Sequence, residues 1–88
     1  MPNKELDELQ EIARVETRKA LSLYDPVPSE WAKALTLGTL FEGDDRVFEL
    51  YVPGERPADA IVIASARVNR KTRHVVVTVT NLNRKANA

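Results

Sequence analysis

The chain has 88 residues, 43% hydrophobic and 30% charged, with thirteen Lys+Arg balanced by thirteen Asp+Glu. That length supports one small domain with one modest core, and zero net charge removes any global reason to expect nucleic acid or an anionic membrane as partner. With no Cys and a single His, disulfides, thiolate metal sites, thiol catalysis and multi-histidine metal sites within the chain are excluded.

No apolar run approaches the ~18 residues of a membrane span. The polar opening Met1-Pro2-Asn3-Lys4-Glu5 predicts no secretory signal, and the compartment stays open. Residues 4–24 then read as an amphipathic helix. Leu6, Leu9, Ala13, Ala20 and Tyr24 fall on one stripe, extended by Ile12 and Leu23, with Asp7, Glu11, Arg14 and Arg18 opposite. Asp7 with Gln10 resembles a capping box, and Asn3 is the alternative cap. Acidic residues early and Arg18-Lys19 late suit the helix dipole. Asp25-Pro26-Val27-Pro28 cannot continue a helix.

Four runs of period two follow. They cover residues 34–41, 46–52, 60–68 and 74–82. Leu35, Leu37, Thr39 and Phe41 share a face of the first run, and Phe48, Leu50 and Val52 a face of the second. Val62, Ala64, Ala66 and Val68 share one in the third, and Val75, Val77 and Val79 one in the fourth. Short links demand antiparallel neighbours. The expected architecture is therefore α+β: one N-terminal helix packed on a four-stranded antiparallel sheet, in the cystatin-like order α-β-β-β-β. The small Ala64 and Ala66 would let the helix lie close. Residues 83–88 read as a frayed polar tail.

Few side chains suggest chemistry. His74 reads as an exposed strand-end residue, because no nucleophile signature accompanies it. Glu42-Gly43-Asp44-Asp45 lacks the ligand spacing of a calcium loop and reads as a turn. Trp31 reads as a cap on the open end of the core. Charge is unevenly spread: residues 1–50 carry net −5 and residues 51–88 net +5. Arg67, Arg70, Lys71, Arg73 and His74 gather on one hairpin, which lacks the interleaved aromatics that single-stranded nucleic acid would want. Strict alternation places Tyr51, Ile61, Ile63, Val76 and Leu82 on the far face of the sheet, unless a bulge shifts the faces. Such a face predicts cover by another domain or a second copy. Tyr51, Ile61, Ile63, Arg70, Lys71 and Arg73 are the candidate partner contacts.

Leu6-Asp7-Glu8-Leu9 followed by Gln10-Glu11-Ile12 resembles the opening of the N2-type N-terminal domain of copper amine oxidases, with Glu8 where that opening usually carries Pro. Leu37-Gly38-Thr39-Leu40-Phe41-Glu42 is similar to that domain's first strand. Arg56-Pro57-Ala58-Asp59-Ala60-Ile61-Val62-Ile63 is similar to its third-strand entry, and residues 69–79 to its final hairpin. The resemblance implies a non-catalytic accessory module. In that family copper, held by three His, and a topaquinone formed from Tyr belong to a separate large domain that oxidises primary amines. No catalytic, cofactor-binding or metal-ligating residue carries over to this chain. The alternative expectation is a stand-alone binding protein of immunity or antitoxin type, with a cystatin-like or NTF2-like fold. An RNA-binding module using the Arg70–His74 hairpin is the third.

Overall fold

The computed structural model describes residues 4–85. Helix α1 spans Lys4–Leu21, and a one-turn helix α2 spans Ser29–Ala32. Strands β1 (Thr36–Glu42), β2 (Asp45–Val52), β3 (Ile61–Asn69) and β4 (Val75–Val79) form one antiparallel sheet in the order β1-β2-β3-β4. The α+β architecture is the expected one. Asn3, the alternative cap, lies outside the described residues. Asp7 sits inside the first turn of α1 rather than capping it.

Helix α1 stops three residues before the expected Tyr24. The N–H groups of Leu23 and Tyr24 donate to the carbonyls of Ala20 and Leu21, three residues back, so the last turn tightens and ends. The chain's far end then returns to this point. Asp25 N–H donates to Asn83 O at 2.8 Å and Lys85 N–H to Leu23 O at 2.9 Å. Residues 83–85 are therefore tied to the helix end rather than frayed, and residues 86–88 lie outside the described part.

Leu9 and Ala13 of α1 pack on Phe48, Ala66 and Val68, with Leu6, Ile12, Val75 and Val77 around them. Ala66 supplies the close approach expected of a small residue, while Ala64 lies to the side. Leu9 and Val68 are fully buried, and each such side chain contributes about 1.5–3 kcal/mol through burial.

One irregularity changes the expected faces. The β2–β3 register pairs Leu50 with Ala64 but Tyr51 with Val62, leaving Ile63 as the extra residue of a β-bulge. Val62 therefore shares the far face with Tyr51, and Ile61, opposite Val52, shares the helix side. Strict alternation placed both the other way round. Ile63 is fully buried. The freed Val62 carbonyl accepts from Thr80 Oγ1 and Asn81 Nδ2, both at 2.7 Å. Asn81 adopts a left-handed conformation (φ 61°), turning the chain away after Val79. Leu82 thus lies beyond β4, which ends three residues earlier than expected.

Candidate functional site

A single helix is about 10 Å across and covers roughly two strands spaced about 4.8 Å apart. Helix α1 lies over β3 and β4, with a lesser contact to β2. The helix side of β1 and β2 stays open. There an apolar groove of about 360 Å³ runs between α1 and the sheet. Its floor and walls include Ala13, Leu21, Leu37, Phe48, Leu50 and Ala64. Arg14 and Arg18 stand on its helical lip. Arg14 is held by Glu11, its Nε donating to Oε2 at 2.9 Å. Arg18 makes no ion pair with any described residue.

Strand β1 continues this open region to the sheet edge. Leu37 and Phe41, on the helix side of β1, are 48% and 65% exposed, and Leu40, on its far face, is 47% exposed. The Arg46 guanidinium lies 4.5 Å from the centre of the Phe41 ring. None of these groove and edge residues stood among the sequence candidates. The signal was available: one helix cannot blanket four strands, and the strand farthest from it in a meander must stay bare.

The expected contacts on the far face divide. Tyr51 is half-buried there, its ring lying over Gly38, where an added Cβ would meet Cε1 at 3.1 Å. Ile61 belongs to the helix side, and Ile63, with no exposed surface, is unable to touch a partner in this fold. What remains across that face is mixed. Leu40, Val47 and Val76 stand beside Arg67, and Glu49 stands beside Ser65 and Thr78.

The basic hairpin is engaged within the molecule. Arg70 Nε donates to Glu5 Oε1 at 2.7 Å, and Arg73 to Glu8 Oε2 at 3.2 Å. Arg67 binds Glu42 at 2.8 Å and Asp45 at 2.9 Å, and Lys71 lies 3.5 Å from Asp44. Every one of these cations comes from residues 51–88 and every anion from residues 1–50. The uneven charge along the sequence is thus largely matched across the fold. The hydrogen bond from Arg70 holds the Glu5 carboxyl below its ordinary pKa, and the bond from Arg67, helped by Asn69, does the same for Asp45.

The hairpin itself is shaped by Asn69, whose Oδ1 accepts from the N–H groups of Lys71 and Thr72 at 3.0 Å. His74 is exposed just before β4, and Trp31 is half-buried on α2. Among the described residues no group of three or more His, Cys, Asp or Glu converges closely enough to hold a metal ion. No described helix is long and apolar enough to cross a membrane.

No family model matches the sequence, and comparison with curated proteins and with solved structures gives no match either. The chain is an α+β domain, a helix on an antiparallel meander, with one half of its helix-side sheet face uncovered.

Proposed function

We propose that this chain is a non-catalytic packing module, of the accessory kind to which the N-terminal domains of copper-containing primary amine oxidases belong. The observation that carries this reading is the open apolar groove continuing into the bare β1 strand. Apolar surface of this kind, rimmed by charge, suits a protein partner rather than solvent. The element order and the motifs along residues 6–82 agree with that family's accessory domain. With copper and a primary amine supplied, peroxide release by the purified chain is expected to stay at background. Turnover would overturn the reading.

A second reading is a stand-alone binding protein of immunity or antitoxin type. It is favoured by the groove's charged lip, because Arg14 and Arg18 suit a partner that arrives from solution through electrostatic steering. Its test is capture from extract at low salt with wild-type and Leu37→Glu chains as bait. One specific partner, lost with the variant, is expected, and no specific partner would count against it.

A further inference from the structure

We infer that this chain pairs with a second copy of itself through β1, joining two meanders into one eight-stranded sheet. The inference rests on the packing reading above and names the partner.

The hairpin turn decides which backbone groups are available. Gly43 and Asp44 form a two-residue β1–β2 loop between the paired Glu42 and Asp45, with Gly43 at φ 59°. A two-residue loop closes on a hydrogen-bonded pair, and such pairs recur at every second residue. Glu42, Leu40, Gly38 and Thr36 therefore bond inward to β2. Leu37, Thr39 and Phe41 turn their N–H and C=O groups to the outer edge, where no described strand lies.

These three residues are self-complementary. An antiparallel pairing with its two-fold axis at Thr39 sets Thr39 opposite Thr39 of the second copy and Leu37 opposite its Phe41. All three outward-facing residues of each copy then sit in hydrogen-bonded positions. Leu37 and Phe41 share the helix side of the sheet, as their partners Leu50 and Arg46 show. The axis preserves faces, so Leu37 of each copy and Phe41 of the other, both strongly exposed in the single chain, cover each other at the groove's mouth. Gly38 falls opposite Leu40 on the far side, where the leucine would lie beside the Tyr51 ring that covers Gly38.

Charge permits the same register. Glu42 is the only charged residue of β1 and falls opposite Thr36 rather than another carboxylate, while Arg67 neutralises it within its own chain. Helix α1 lies over β3 and β4, so the two helices stay well apart. Nothing blunts this edge: β1 contains no Pro and no Lys. The opposite edge, β4, is shorter and carries one strongly exposed apolar residue, Val76.

The chain has no Cys, so single-cysteine variants report the register directly. The pairing sets the two Thr39 Cα atoms about 5.5 Å apart, within disulfide reach, and the two Thr36 Cα atoms about 20 Å apart. Under mild oxidation Thr39→Cys is expected to form a covalent dimer and Thr36→Cys to remain a single chain. Sedimentation equilibrium is expected to give the mass of two chains for wild type and of one for Thr39→Pro, which loses an outward N–H that β2 does not use. Phe41→Lys repeats the test should proline unfold the strand, with circular dichroism confirming the fold.

A wild-type monomer at high concentration would overturn the inference. So would equal cross-linking of the two cysteine variants, or a dimer that survives Phe41→Lys. Capture of a different partner by a monomeric chain, abolished by Leu37→Glu, would overturn self-pairing while upholding the packing reading.

Discussion

Arg70 and Glu5, 65 positions apart in sequence, meet at 2.7 Å and tie the β3–β4 turn to the first turn of α1. Because the guanidinium stabilises the charged carboxylate, Glu5 titrates below its ordinary value. A carboxyl with a lowered folded-state pKa adds stability above its unfolded pKa, and that stability is lost as pH falls through the folded one. The Glu5→Gln variant should therefore be less stable than wild type near neutrality. Its urea midpoint should converge on the wild-type value in acid. A constant gap between the two proteins at every pH would show that the contact contributes nothing through charge.

Val76 and Val77 are neighbours on opposite faces of β4. Val77 packs against the core under α1, whereas Val76 is half-exposed on the far side. A carboxylate at position 77 has no partner and costs several kcal/mol, comparable with the ~5 kcal/mol total of a domain this small. Val77→Asp is expected to unfold the chain and Val76→Asp to change its stability by about 1 kcal/mol or less. Circular dichroism of the two variants checks this, and a folded Val77→Asp protein would contradict the helix-side assignment.

Ile63 offers a test of the bulge. As the unpaired extra residue it is nonetheless fully buried. Truncation to Ala should cost about 2–5 kcal/mol. Ile61→Ala, at a half-buried position, should cost less. Equal losses, measured by denaturant unfolding, would mean that the two isoleucines are not distinguished as the register requires.

Gly54 sits where the β2–β3 loop doubles back. A Cβ there would lie 2.5 Å from Asp59 Cβ and 2.8 Å from the Asp59 carbonyl. Backbone atoms are poorly placed to yield, so Gly54→Ala should destabilise by about 1–3 kcal/mol. Thermal unfolding at the wild-type midpoint would show that the loop closes differently.

Periodicity carries most of the fold. The helix stripe through Leu6, Leu9 and Ala13 and the alternation of Phe48 with Leu50 or Val75 with Val77 each repeat a simple spacing, so the elements and their antiparallel order were readable. The face of β3 was only half readable, because the bulge at Ile63 inserts one residue into the alternation with no Gly or Pro to mark it. The end of β4 depends on a left-handed Asn81 that hydrogen-bonds a carbonyl eighteen or more residues away, a tertiary event invisible locally.

Likewise the charge imbalance along the chain was plain, while its resolution by Glu5, Glu8 and Asp44 against the hairpin cations needed the fold. The groove and bare edge follow from where α1 lies on the sheet. The width of one helix against four strands announces a bare edge, but alternation by itself leaves Leu37, Leu40 and Phe41 looking like ordinary strand residues.

The segregation of acidic and basic residues makes this domain divisible. Cleaved after Gly54, in the exposed loop, it would yield an N-terminal piece of net −5 and a C-terminal piece of net +5. The β2–β3 ladder and the Glu5–Arg70 and Glu42–Arg67 pairs all span the cut. Opposite charge would draw the fragments together over distances that short-range packing cannot reach, and added electrolyte would slow their reunion. A split reporter built on this scaffold would thus carry its own electrostatic guidance.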